Sequence, residues 1–274
     1  MKTCIYVYSG TGTSLSIANT IANNLENAEV ALIPDLLKNA VNNEITSESE
    51  IIGFVFPNYF GNIPAMVLQF IKILNLEKAQ YIFAVIPAGS GQGYTLKFLE
   101  KELAKKGKKL NYGRYVTGIS NYIVGWYYGL LAKTDPQRTE LVNKLKEKSK
   151  EIANDIICQK NKVEKSKLSV YMVNLILTPK RIRDDTRLWD KEFCINEHCT
   201  GCRTCEKVCQ AGNIQFENSK PVFQHNCQRC MACIQYCPHK AIGYNGKPLN
   251  KPRAFHPDYP AEAIIGILNK ERKL

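Results

Sequence analysis

Long hydrophobic runs are missing from this chain of 274 residues. The longest apolar stretch, Leu168–Leu177, falls well short of the roughly 20 residues that a bilayer span requires, so no membrane span is expected. The apolar start, Thr3–Tyr8, runs at once into Ser9-Gly10 and is too short and wrongly flanked for a secretory leader. Also missing are cysteines spread over the fold, as a disulfide framework would place them. Eight of the eleven crowd into Cys199–Cys237, a local spacing that belongs to metal sites in a reducing compartment. The chain is accordingly read as soluble and cytoplasmic. There is no basic arm either. The formal charge of +12 is spread as 18 basic and 14 acidic residues over 1–160, 8 and 5 over 161–193, and 11 and 6 over 194–274. That pattern reads as a lysine-rich solvated surface and argues against a nucleic-acid partner. No nucleophile–base set and no paired carboxylates appear, so no catalytic residue is assigned. The dinucleotide fingerprint is absent too, which argues against direct use of a pyridine nucleotide.

What is present in the first 160 residues is an alternation of short apolar runs with amphipathic stretches. Strands are expected at Thr3–Tyr8, Glu29–Ile33, Glu50–Phe56, Tyr81–Ile86 and Tyr115–Ile119. Between them Leu15, Ala18, Ile21, Ala22 and Leu25, then Met66, Phe70, Ile71 and Leu74, then Leu96, Leu99 and Leu103, recur at helical spacing. A last set follows at Leu141, Leu145, Ile152 and Ile156. The pattern predicts an α/β domain over 1–160, a doubly wound five-stranded parallel sheet with its ligand site in the loops beyond the strands' carboxyl ends. Residues 161–193 read as a connecting segment, in which Leu168–Leu177 leads into the basic stretch Lys180, Arg181, Arg183 and Arg187. Residues 194–250 are cysteine-dense and poor in apolar runs, as a piece that folds around metal would be. Residues 251–274 form a C-terminal extension.

The cysteines fall into two copies of one pattern: Cys199-x2-Cys202-x2-Cys205-x3-Cys209 and Cys227-x2-Cys230-x2-Cys233-x3-Cys237-Pro238. Zinc ribbons also use Cys-x2-Cys pairs, but they do not normally need a third and fourth cysteine at these spacings twice over. The pattern resembles bacterial two-cluster ferredoxins, whose small α+β fold it implies for this region. Gln210 stands where the first run would usually have proline. The resemblance implies two [4Fe–4S] clusters with crossed ligation: Cys199, Cys202, Cys205 and Cys237 on one, Cys227, Cys230, Cys233 and Cys209 on the other. Cys4 and Cys158 read as small core residues and Cys194 as a thiol without a role. His198, His225 and His239 read as surface groups or neighbours that adjust cluster potential.

In the N-terminal half, Ser9-Gly10-Thr11-Gly12-Thr13-Ser14 follows the first strand and opens a helix. Glycines and hydroxyls at a helix N-terminus make an anion site, although such runs also make ordinary turns. Pro57-Asn58-Tyr59-Phe60-Gly61-Asn62 follows the third strand with aromatic faces for stacking. Ala88-Gly89-Ser90-Gly91-Gln92-Gly93 follows the fourth, its glycines allowing close backbone approach. Together the three resemble the FMN loops of flavodoxins. A further loop, Ser120-Asn121-Tyr122-Ile123, reads equally as a cover for the ring or as an edge loop. The whole layout resembles the flavodoxin–ferredoxin fusion proteins of anaerobes. It implies electron transfer among FMN, the clusters and external carriers such as ferredoxin or rubredoxin, with basic faces steering acidic partners. The alternative is an FMN-dependent reductase of a quinone, nitro compound or dioxygen, fed by the clusters.

Overall fold

The computed structural model describes residues 1–89, 93–125, 128, 134–165 and 187–270. Its contacts divide the chain into two compact units that do not follow chain order. The first comprises Met1–Ser9, Thr13–Gly118 and Glu140–Thr178; the second comprises Gly10–Gly12, Ile119–Thr139 and Pro179–Leu274. The expected apolar run Leu168–Leu177 and the basic residues Lys180, Arg181 and Arg183 lie outside the described residues, as do Ser90, Gly91 and Gln92.

In the first unit, strands β1 (Thr3–Val7), β2 (Ala28–Leu32), β3 (Ile51–Val55), β4 (Tyr81–Ala88), β5 (Tyr112–Thr117) and β6 (Lys162–Val163) form one sheet in the order β2-β1-β3-β4-β5-β6. All its pairings are parallel, with Thr3 opposite both Ala28 and Ile51, Ile51 opposite Tyr81, and Phe83 opposite Tyr112. The order 2-1-3-4-5 is the flavodoxin-like winding, and its ligand switch point lies between β1 and β3. Every residue of β1, β3 and β4 is buried, as expected of central parallel strands covered on both faces. Gly53 matters here, because a β-carbon on it would overlap the ring of its β4 partner Phe83.

The helices α1 (Thr13–Ala22), α2 (Ala65–Ile73), α3 (Thr95–Ala104) and α4 (Asp135–Ile157) bury periodic residues expected of them, among them Leu15, Ala18 and Ile21, Phe70 and Ile71, Leu96, Leu99 and Leu103, and Leu145, Ile152 and Ile156. Two expectations need correction. Among the described residues the sheet has six strands rather than five. β6 is a two-residue edge strand in the charged run after α4, paired as Tyr112 to Lys162 and Gly113 to Val163, and no alternation of apolar residues marks it. The fifth strand also begins three residues earlier than expected, since Tyr112 and Gly113 are buried and paired while Ile119 already lies in the following loop. Cys4 is a core residue of β1, but Cys158 lies just past the end of α4 and is exposed.

The second unit is built as a repeat of 28 residues, the interval from Cys199 to Cys227 and from Cys209 to Cys237. Strand β7 (Phe193–Ile195) pairs antiparallel with β10 (Ile242–Tyr244), and β8 (Ile214–Glu217) pairs with β9 (Lys220–Phe223). Short helices α5 (Thr204–Lys207) and α6 (Ala232–Gln235) hold matching places in the two runs, and α7 (Ala261–Lys270) follows near the C-terminus. Trp189, 4% exposed, packs against Tyr122, Phe193 and Tyr244 at ring-centroid distances of 5.7, 6.1 and 5.3 Å, an aromatic core of the unit's own.

Candidate functional site

The two cysteine runs share a backbone conformation as well as a spacing. Gly201 and Arg229 have φ of 71° and 56°, and Arg203 and Met231 have φ of 60° and 61°, each pair 28 residues apart. Left-handed conformation is unfavourable for arginine and methionine, so these loops hold a local strain that the surrounding structure must enforce. Their turns aim backbone N–H groups at sulfur: Arg229 donates to Cys227 Sγ, Asn213 to Cys209 Sγ and Ala241 to Cys237 Sγ, all at 3.3 Å. Such backbone nests suit an anion. α5 and α6 begin directly after Arg203 and Met231 and carry the third cysteine of each run, Cys205 and Cys233.

The eight thiols fall into two groups of four. Cys199, Cys202, Cys205 and Cys237 line one cavity together with Arg203, Phe216 and Ile242. The charges of Cys237, Cys202 and Cys199 all act on Cys205, which burial pushes up to about 12. In the other group Cys209 is pushed up to about 11 by burial and by Cys230, and Cys227 is raised by burial, then by Cys230, the buried Asp190 and Cys209. Cys233 is raised by burial first, then by Cys230, Cys227 and Cys209, and least by Cys205 of the first group. The fourth cysteine of each run thus stands with the first three of the other. Among the described residues no three His, Cys, Asp or Glu side chains converge on one metal-ion position. Four thiolates around a cubane each bind a different iron, so they surround a volume instead of meeting at a point.

Burial without compensation favours neutral thiols, and this is the cost that iron must offset on binding. One neighbour bears directly on it. All three guanidinium nitrogens of Arg253 are buried without a hydrogen-bond partner. Burial lowers its pKa, while the nearby Cys237 and Tyr128 act in the opposite sense. A buried cation with no partner of its own, beside a sulfur ligand, fits an anionic cluster. At Cys202 burial pushes the thiol up, but hydrogen bonds from Thr204 and Thr200 together hold it below the ordinary thiol range. On the other group, Asp190 accepts from Asn213 Nδ2 and pairs with His225 Nδ1, each at 2.7 Å. Arg229 lies over the Trp189 ring at 5.5 Å. His225, expected as a neighbour of the cysteine runs, is thereby tied to one. Trp189, Asp190, Arg229 and Arg253 carried no spacing signal in the sequence.

The segment that holds both groups has known relatives. Residues 198–242 match the family of 4Fe-4S dicluster domains. Over 45 residues the chain is 47% identical to a component of the ion-translocating oxidoreductase complex of Methanosarcina acetivorans, a stretch that is 16% of this chain and 17% of that protein. The C-terminal region therefore carries a pair of [4Fe–4S] clusters, groups whose work is electron transfer. Among solved structures, rubredoxin oxygen:oxidoreductase from the anaerobe Desulfovibrio gigas aligns at 18% identity and a TM-score of 0.37, over 58% of this chain and 36% of that one. An azoreductase from Bacillus anthracis str. Sterne aligns at 12% and 0.37, over 57% and 100%. At such scores neither likeness bears on the fold, which rests on the strand order. Among the described residues no helix is long and apolar enough to cross a membrane.

The loops expected to hold a flavin lie at the carboxyl ends of β1, β3 and β4. Ser9, Thr11, Thr13 and Ser14 are all buried, and Gly12 has φ of 92°. α1 starts at Thr13 and has no acidic residue in its first turn, so its N-terminal dipole is uncompensated there. The Thr13 hydroxyl is buried with no hydrogen-bond partner. A phosphate oxygen would satisfy it, which is the fit this loop offers to FMN. Tyr59 and Asn62 bridge across a tight turn in which Phe60 and Gly61 have φ of 54° and 77°. Tyr59 also meets Tyr8 edge-on, with ring centroids 6.4 Å apart. Asn58 links this loop to the next: its Oδ1 accepts from Thr95 Oγ1 at 2.7 Å, and a β-carbon on Gly93 would come within 2.5 Å of its Nδ2. Tyr115 donates its hydroxyl to the Gly93 carbonyl at 2.5 Å.

Gly10–Gly12 make their contacts within the second unit. His256 donates its backbone N–H to the Thr11 carbonyl at 2.9 Å, and a β-carbon on Gly12 would lie 2.6 Å from Tyr259 Cβ and 2.9 Å from His256 Cβ. The contact with His256 uses the Thr11 carbonyl as acceptor. Sequence reading missed the extension's part here, because Ala254 to Tyr259 carry no motif.

Proposed function

We propose that this protein relays electrons between external one-electron carriers, two [4Fe–4S] clusters and an FMN. The observation that carries the reading is the grouping of the thiols in two crossed sets of four on a chain whose parallel sheet presents a buried hydroxyl loop at its switch point. When bound, the clusters pass single electrons and FMN stores up to two with proton uptake, so the set can join one-electron to two-electron partners. Cys199, Cys202, Cys205 and Cys237 hold one cluster and Cys209, Cys227, Cys230 and Cys233 the other. Arg253 supplies positive charge beside Cys237. Ser9 to Ser14 hold the phosphate, Tyr59 and Phe60 offer faces to the ring, and Asn58 and Gly93 shape its edge. The formal charge of +12 favours encounter with acidic redox proteins of the ferredoxin or rubredoxin kind.

Anaerobically purified protein is expected to contain about eight irons, eight acid-labile sulfides and one FMN per chain. Cys209→Ala should disable the cluster of Cys227, Cys230 and Cys233 and spare the other. Replacing Gly12 is an ambiguous probe of the phosphate, since any side chain there also meets His256 and Tyr259. Thr13→Val is the cleaner one: it should weaken FMN binding about tenfold, the loss of a hydrogen bond to a charged group, with iron unchanged. Stoichiometric zinc in place of iron, or iron with no uptake of FMN, would overturn the reading.

A further inference from the structure

Asn121, in the stretch after β5, joins a cluster loop to the phosphate loop. Its Nδ2 donates to Thr11 Oγ1 at 2.9 Å and to the Cys230 carbonyl at 3.1 Å, so both amide hydrogens are used. Its backbone carbonyl accepts from Gln235 Nε2 at 2.6 Å. Gln235, 1% exposed at the end of α6, accepts the Ala254 N–H on its Oε1 at 2.8 Å. Two residues further on, His256 donates to the Thr11 carbonyl at 2.9 Å. The hydrogen bonds close a ring that runs from Thr11 through Asn121 and Gln235 to the 254–256 segment and back to Thr11. Every member belongs to the second unit. The ring touches a cysteine run at Cys230.

The two thiol sets differ in access. Of the eight cysteines Cys202 alone is exposed, and it belongs to the set completed by Cys237. Each set has one buried cysteine, Cys205 or Cys227, and the set completed by Cys209 has none that is exposed. One set therefore opens to solvent, and the other is the one tied to the phosphate loop.

We propose that Asn121 is a positioning residue that fixes the Cys209, Cys227, Cys230 and Cys233 cluster beside the phosphate loop, so that this inner cluster exchanges electrons with the flavin while the outer one meets external carriers. The inference rests on the electron-relay reading above and gives it an order. For each FMN reduced by two electrons, two one-electron carriers are oxidised at the outer set, the two electrons cross the inner set one at a time, and two protons come from water. An asparagine is needed because one nitrogen must donate in two directions: aspartate has the shape without the donors, and leucine has neither charge nor donors.

The test uses the full, cofactor-loaded chain and starts with the wild type, where photoreduced clusters should pass electrons to FMN. If wild-type protein binds no FMN, or its reduced clusters leave bound FMN oxidised, the relay reading fails and this inference with it. Given transfer in the wild type, Asn121→Asp and Asn121→Leu should retain iron and sulfide while transfer to FMN slows at least tenfold. A structural readout accompanies the rate. Asn121→Asp should make reduction of the inner cluster at least tenfold less favourable, about 59 mV for a one-electron couple, with the outer cluster unshifted. Cys202→Ala, which removes an outer ligand, identifies the inner signal in magnetic spectra and should still pass electrons from photoreduced inner cluster to FMN. The proposal is overturned if both Asn121 variants transfer at the wild-type rate with unshifted potentials. It is overturned equally if Cys209→Ala protein, lacking the inner cluster, reduces its FMN as fast as wild type.

Discussion

The parallel sheet and the cysteine repeat solve the problem of folding by different means. In the sheet, Ile5, Val7, Ile52, Phe54, Val55, Phe83, Val85 and Ile86 are inaccessible to solvent, and helices of nine to 23 residues cover it. Burial of that kind contributes roughly 25 cal/mol for each Å² of apolar surface and needs no ligand. Between Phe193 and Tyr244 the strands have three or four residues and the helices four. Its buried apolar side chains are few, Val208, Ile214, Ile234 and Ile242 chief among them, and several backbone positions are left-handed without glycine. Such a segment is held by its metal, and the comparison teaches that the two regions should fail under different insults.

The largest expected effect follows directly. Removing iron with a chelator under anaerobic conditions should abolish hydrogen-exchange protection across 193–244, while amides of β1, β3 and β4 stay protected. Protection that survives in 193–244 after iron loss would break the comparison. In the opposite sense, Phe83→Ala should destabilise the sheet by about 3–5 kcal/mol in denaturant unfolding, the range for deleting a fully buried phenylalanine, without changing iron content per folded chain. An effect below about 1 kcal/mol would mean that the site collapses around the loss. A smaller effect is expected at Arg253. Arg253→Met keeps much of the bulk and removes the charge beside Cys237, so reduction of the cluster it neighbours should become several-fold less favourable, read as a lower potential of the outer cluster alone. An unchanged potential would assign the guanidinium to packing.

How legible these features were in the sequence depended on what kind of force made them. The central strands and the faces of α1 to α4 could be read from apolar periodicity because the same burial that stabilises them writes it. The cluster residues could be read because ligand spacing is a local geometric demand of the cubane. Nothing comparable marked β6, whose two residues pair only through backbone. Asn121 was visible as part of a loop after the fifth strand, but its partners Thr11, Cys230 and Gln235 lie about 110 residues away in either direction along the chain, a separation no local pattern encodes. Arg253 and His256 belong to the same class: their roles come from tertiary placement.

The smallest effect sharpens the account of the sheet's edge. Tyr112, one of two β5 residues paired with β6, donates its hydroxyl to Asp155 Oδ2 at 2.8 Å, tying α4 to the sheet. A hydrogen bond from Lys160 is the main cause that holds the Asp155 carboxyl below its usual range; burial opposes it and the Tyr112 hydroxyl adds to it. Because the folded pKa is depressed, the stabilisation is complete above the unfolded value near 3.9 and is lost as pH falls through the lower folded value. Tyr112→Phe removes one donor and should cost about 1 kcal/mol at neutral pH. It also moves the folded pKa of Asp155 back toward the ordinary value. The stability gap between wild type and variant should therefore stay constant from neutral pH down to about 4 and narrow below it. Unfolding curves taken along that series decide the matter. No gap at any pH would show that Tyr112 stabilises the edge through its ring alone, and a gap that does not narrow in acid would show that its hydroxyl stabilises the edge whatever the charge on Asp155.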